Sequence, residues 1–167
     1  MAKGKGSGNA YLIRHGDAED RHALGDDARA LTAEGRREFR ALAAELADDL
    51  GLVGVATSLL VRAVQTAEIL AEACGVEEVV VRGELALGRA SATSIAALLH
   101  ELGPGWALVG HNPTLALALA KLLDLDGEPR FRKGAVAALK IHETHGAGCA
   151  LAWTISPGRK RQSTLDD

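Results

Sequence analysis

Short apolar, β-branched runs alternate along this chain with stretches of helical periodicity. That alternation predicts a three-layer α/β/α sandwich with a mainly parallel central sheet. Two further features refine the expectation. Glycines 51, 75 and 103 each stand where a helical stretch ends, as C-terminal helix stops do. Two strand-like runs follow one another near the C-terminus with no helix between them, which predicts a C-terminal antiparallel hairpin.

The elements follow in order. Residues 10–14 form an apolar run and read as the first strand. Residues 17–30 are charged, lack a steady apolar period and read as a loop. Thr32 is suited to cap a helix. Phe39, Leu42, Ala43, Leu46 and Leu50 then recur at three- and four-residue steps, one helical stripe. Residues 53–56 predict a second strand. A helix over 62–74 places Ala63, Ala67, Leu70 and Cys74 on one face. Residues 79–81 are β-branched throughout and predict a third strand. A third helix spans 94–102, and residues 106–109 predict a fourth strand. Asn112 can cap the next helix, with Pro113 in its first turn and an end near Leu123. Residues 135–141 and 149–155 form the hairpin around 142–148. A single domain over 10–157 is expected between flexible tails at 1–9 and 158–167.

Composition limits the function. Apolar residues make up 47% of the 167-residue chain and aromatics 3%, so the core must be largely aliphatic. A net charge of −3 argues against a general nucleic-acid binder. No run approaches the roughly 18 apolar residues of a membrane span. The basic, Gly-rich residues 1–9 are not followed by an apolar signal core. Cys74 and Cys149 suggest neither a disulfide framework nor a zinc site. These features together predict a soluble cytoplasmic protein that uses no nucleic acid and no membrane.

Ligands in parallel α/β folds gather at the carboxyl ends of strands. Three such ends carry suitable groups: Arg14-His15-Gly16, the segment 58–62 with Arg62, and Gly110-His111-Asn112. Arg14 and Arg62 can each grip phosphate oxygens through a planar fork of donors. Charge-assisted hydrogen bonds contribute about 1.5–3 kcal/mol apiece, so two guanidiniums can hold a phosphoryl group without a metal or other cofactor. His111 can supply a further donor. His15 is the candidate nucleophile, provided one ring nitrogen is unprotonated and the other is held, most simply by a backbone carbonyl. Neighbouring Arg charges favour its neutral form.

The order of these motifs resembles the histidine phosphatase superfamily, with its phosphoglycerate mutase-like fold, and within it the SixA-type phosphohistidine phosphatases. The resemblance rests on residues 12–18, on Arg29-Ala30-Leu31-Thr32 with Gly35, on 58–66, on 109–113 and more weakly on Lys133-Gly134-Ala135. It spans about 10–157. Leu59 departs from the family, which usually has Pro after Ser58. The resemblance implies a phosphate pocket of Arg14, His15, Arg62 and His111, with His15 phosphorylated during turnover. It leaves the leaving-group acid open between Glu84, the nearest positional match, Asp17, and no enzyme acid at all. An imidazole leaving group can itself take the proton.

The resulting expectation is a metal-independent phosphatase of protein-borne phosphohistidine, with a histidine phosphotransfer domain as the partner implied by the resemblance. The short connection 82–93 leaves the pocket open to a protein surface. One alternative is a phosphatase of small phosphate esters or phosphoanhydrides, acting on a phosphorylated metabolite through the same pocket. Another is a non-catalytic phosphate-binding adaptor. Remaining candidates read as ordinary surface. His142 and His145 fall in a hairpin turn with one nearby acid, Glu143. His22 and His100 carry no motif around them. Gly4-Lys5-Gly6-Ser7-Gly8 lacks the Walker spacing, and Arg159-Lys160-Arg161 reads as solvated tail.

Overall fold

A computed structural model describes residues 8–142 and 148–165. In chain order the elements are β1 (Asn9–Arg14), α1 (Ala33–Leu50), β2 (Gly54–Thr57), α2 (Val61–Cys74), β3 (Val79–Val81), α3 (Ala92–Leu102), β4 (Trp106–Gly110), α4 (Thr114–Leu123), β5 (Val136–Ile141) and β6 (Cys149–Ile155). The strands form one sheet in the order β3-β2-β4-β1-β5-β6. The first four run parallel to their neighbours among themselves, while β5 is antiparallel to β1 and β6 to β5. The predicted hairpin is thus an extension of the main sheet. Its turn residues 143–147, His145 among them, lie outside the described residues.

Strand alternation divides the interior into two cores. Tyr11 and Ile13 of β1 face α1 and α2, where Phe39, Leu46 and Leu70 are buried. Ala10 and Leu12 face the other way, onto α3 and α4, with Leu99, Leu115 and Leu119. β1 is therefore apolar on both faces, as a strand covered by helices on both sides must be. Tyr11 satisfies its hydroxyl by donating to the carbonyl of Leu50 at the end of α1, 2.8 Å away. Among the described residues no helix is long and apolar enough to cross a membrane.

Several boundaries differ from the expected ones. The third helix begins at Ala92 because Ser91 and Ser94 form a reciprocal capping box, so Ser94 sits inside the first turn. Asn112 is not the cap of α4. Pro113 occupies that position without a side-chain bond, and Asn112 Nδ2 instead donates to the carbonyl of Phe131 at 2.8 Å. Asn9 belongs to β1, paired with Lys140, and is buried. The expected flexible tail from 158 onward packs back on the domain. Gln162 exchanges two 2.8 Å main-chain bonds with Thr154 on the outer strand β6. Arg161 stacks 4.3 Å over Trp153 and pairs with Asp49, and Leu165 packs against the second core. An edge strand leaves unpaired backbone groups, and this segment satisfies part of that edge.

Thr32 caps α1 as expected, its hydroxyl accepting from Gly35 N. Gly35 is required for a different reason. A Cβ there would lie 2.2 Å from the carbonyl oxygen of Asp17, so the start of α1 presses directly against the loop leaving β1. Gly35→Ala is expected to destabilise the fold by about 1–3 kcal/mol through overpacking. Chemical denaturation would read this as a lower midpoint, and an unchanged midpoint would show that the loop can move aside.

Candidate active site

The parallel register brings the three motif-bearing strand ends together. Arg14 lies opposite Gly110 across β1 and β4, and Thr57 opposite Val109 across β2 and β4. The main chain continues the ladder beyond the strands. His15 N donates to Gly110 O and Ser58 N to Val109 O, each at 3.1 Å. His111, leaving β4, is therefore flanked by His15 on one side and by Ser58 on the other. The chain leaves β1 toward the α1 face and leaves β4 toward the α4 face. A crevice opens where connections part in this way.

His15 is buried, and Nδ1 lies 2.7 Å from the carbonyl oxygen of Gly16. A carbonyl only accepts, so Nδ1 carries the proton and Nε2 has a free lone pair in the neutral ring. Burial pushes the His15 pKa down to about 4, with the charges of Arg62, Arg14 and Lys133 adding to the effect and the Gly16 bond opposing it. The expected influence of the arginines is thus present but second to desolvation. His111 is buried beside it, ring centroids 5.1 Å apart. Burial, then His15 and Arg62, push its pKa down to about 3. Its Nε2 is 2.6 Å from the hydroxyl of Ser58. With Ser58 donating, the His111 proton sits on Nδ1, which is buried without a partner.

Arg62 stands in the first turn of α2, its side chain only 5% exposed. Nη1 donates to the carbonyl of Asp26 at 2.9 Å and Nη2 to Oδ2 of the same residue at 3.1 Å. Arg14 is half-buried, and its Nη1 donates to the carbonyl of Phe131 at 3.1 Å. The Nε groups of both arginines are buried without a partner. Two guanidinium edges and one imidazole nitrogen thus remain as unmatched buried groups in one place, as a site built for an anion requires.

The two candidate acids stand differently. Glu84 is paired with Arg82, 2.7 Å, and Arg82 also reaches Glu101 on α3. Arg82 holds the Glu84 carboxyl below its ordinary range. Asp17 accepts from Lys133 at 2.8 Å and from Thr32 at 3.1 Å, and the Lys133 bond lowers its pKa. Both carboxylates are therefore poorly set to release a proton near neutral pH. Among the described residues no group of three or more His, Cys, Asp or Glu is placed to hold a metal ion.

An open cleft of about 780 Å³ adjoins Arg14. Asp17, Glu38, Arg130 and Lys133 are among the residues that line it. Sequence reasoning missed the closest partners of the cluster. Asp26 fell in the loop 17–30, which in fact carries a 3-10 turn, Asp26–Ala28. Ser58 and Thr66 were only motif letters. Thr66 accepts from Gly16 N at 3.1 Å and so holds the turn after His15. The contact of Arg62 with Asp26 spans 36 positions and leaves no periodic signal.

The chain is similar to known proteins in sequence and in fold. A model of the histidine phosphatase superfamily (branch 1) matches residues 10–87. The structure of the protein histidine phosphatase SixA complexed with tungstate superposes with a TM-score of 0.77 at 26% identity, over 89% of this chain and 97% of that one. A structure named SixA from Nakamurella multipartitia gives 0.67 at 25% identity, over 93% of this chain and 100% of that one. In sequence the chain is similar to a probable phosphoglycerate mutase, GpmB, of Enterobacter sp., 41% identical over 68 residues. That match takes in 39% of this chain and 31% of the other, so the chain spans under a third of the length of the curated relatives it matches.

The buried imidazoles make folding sensitive to acid. In the folded protein His15 and His111 stay neutral down to about pH 4 and about pH 3. In the unfolded chain each takes a proton near pH 6.5. Between those limits the unfolded state binds more protons, so stability is full above about pH 6.5 and falls as pH drops. Melting curves from pH 8 to about 4 should show this decline, and His111→Gln should flatten it. A slope unchanged by that substitution would mean His111 is not buried neutral.

Proposed function

Because the chain belongs to the histidine phosphatase superfamily (branch 1), we propose that it is a metal-independent phosphatase acting on phosphohistidine in a protein. One observation carries the reading: His15 Nδ1 is committed to the Gly16 carbonyl, which leaves Nε2 unprotonated beside two arginines. In the proposed step Nε2 attacks phosphorus, the N–P bond to His15 forms, and the bond to the leaving imidazole breaks. Arg14, Arg62 and His111 hold the phosphoryl oxygens through groups that have no other partner. The leaving imidazole takes up a proton from water or arrives protonated, so neither Glu84 nor Asp17 is assigned as acid. Water then attacks the phosphohistidine, releasing inorganic phosphate and neutral His15.

The protein substrate is favoured by the open cleft beside Arg14, whose walls carry charges of both signs, and by the likeness to two SixA structures. A phosphotransfer domain in the cytoplasm is the corresponding partner. The sequence likeness to GpmB relatives favours a second reading, a phosphatase of small phosphate esters using the same pocket. Turnover of a phosphohistidine-bearing phosphotransfer protein should exceed that of a panel of sugar phosphates and phosphoglycerates, and His15→Ala should reduce it at least about a thousandfold. Preference for one metabolite would establish the second reading. EDTA should leave the rate unchanged, because the charges offered to phosphate belong to side chains. Loss of activity on chelation, restored by a divalent ion, would overturn the metal-independent mechanism.

A further inference from the structure

The loop leaving β1 is organised around a contact that phosphate binding alone does not explain. Of the five N–H groups of a guanidinium, Asp26 takes one on each terminal nitrogen of Arg62, through its carbonyl and its carboxylate. Both acceptors approach the outer end of the side chain. The Nε–H edge, on the other side, stays unmatched and buried, in company with Arg14 Nε and His111 Nδ1. A carboxylate that merely plugged the anion site would occupy those inner donors, and Asp26 does not.

We propose that Asp26 is a positioning residue for Arg62, fixing the outer end of the guanidinium so that its Nε edge is presented to the phosphoryl group. This rests on the phosphatase reading above. Arg is long and rotamer-rich, and its alignment must be settled before substrate arrives if it is to act on the transition state. Asp26 is itself held from the solvent side. Arg29 Nη1 donates to Oδ1 at 2.8 Å, and Arg29 Nε donates to the carbonyl of Glu19. Glu19 in turn exchanges bonds with Ala30, from its own N to Ala30 O at 2.9 Å and from Ala30 N to Oε2 at 3.1 Å. The chain Glu19, Arg29, Asp26 and Arg62 thus links the loop surface to a buried cation. An aspartate so near a phosphoryl dianion costs affinity through repulsion, and alignment of Arg62 is what offsets that cost.

The test uses the full chain with a chromogenic phosphate ester, and orthovanadate as a pentacoordinate mimic. Asp26→Ala should lower kcat about 10- to 100-fold and weaken vanadate inhibition in parallel, with a smaller change in KM. Asp26→Asn keeps an oxygen acceptor for Nη2 and should lose less. Arg29→Ala removes only the outer support and should shift both readouts in the same direction, less far. Tighter vanadate inhibition in Asp26→Ala with undiminished kcat would make Asp26 a competitor for Arg62 and overturn the proposal. So would values for both Asp26 variants within about twofold of the unaltered protein. If the unaltered protein binds vanadate but hydrolyses no phosphorylated substrate, the phosphatase reading fails. Vanadate affinity across the variants still decides the role of Asp26.

Discussion

The main-chain hydrogen bond from His15 to the carbonyl of Gly110 joins the ends of β1 and β4, and the geometry of the site depends on it. It continues the parallel ladder by one residue and so sets the two imidazoles side by side. A slip of one residue in β1 would send Tyr11 and Ile13 to the face now filled by Ala10 and Leu12. Tyr11 and Ile13 are bulkier than Ala10 and Leu12, so the face that holds the smaller pair would be overpacked by the larger one. Core packing and site geometry are therefore one constraint. The same aliphatic interior that stabilises the sheet holds His15 opposite His111.

Burial then sets the chemistry. Both imidazoles are desolvated more than they are repelled by the arginines, and both stay neutral far below the ordinary range of histidine. A neutral His15 has a nucleophilic nitrogen, and a neutral His111 has one donor. Positive charge is left to the two guanidiniums. The carboxylates are each engaged by a cation: Asp17 by Lys133, Asp26 by Arg29 and Arg62, Glu84 by Arg82. The pocket thus keeps its inner donors unmatched while the neighbouring carboxylates are engaged by side-chain cations.

The loop before β5 contributes to the site through its backbone. The carbonyl of Phe131 accepts from both Arg14 and Asn112, and so gathers one residue from β1 and one from the turn after β4. Gly134 N lies within bonding distance of the carbonyls of Arg14 and His15, with a left-handed φ of 71° that favours glycine. These contacts explain why Asn112 is drawn away from the cap of α4. Its amide serves the cluster instead of the helix.

Periodicity and terminators made the alternating α/β order legible in the sequence, since burial against a sheet imposes local spacing on strands and helices alike. The placement of Arg14, His15, Arg62 and His111 at neighbouring strand ends was legible too, because strand ends can be located from the chain and their motifs are contiguous. Asp26, Ser58 and the Phe131 carbonyl were not, as each acts across a long stretch of chain through a contact with no sequence period. Nor were the packing of residues 158–165 on β6 and the engagement of Glu84 by Arg82. Local pattern determined which groups this protein carries to the ends of its strands. Only the tertiary structure decided which protons they hold and which of their edges stay unmatched, because desolvation and hydrogen-bond geometry depend on what the rest of the chain places beside them.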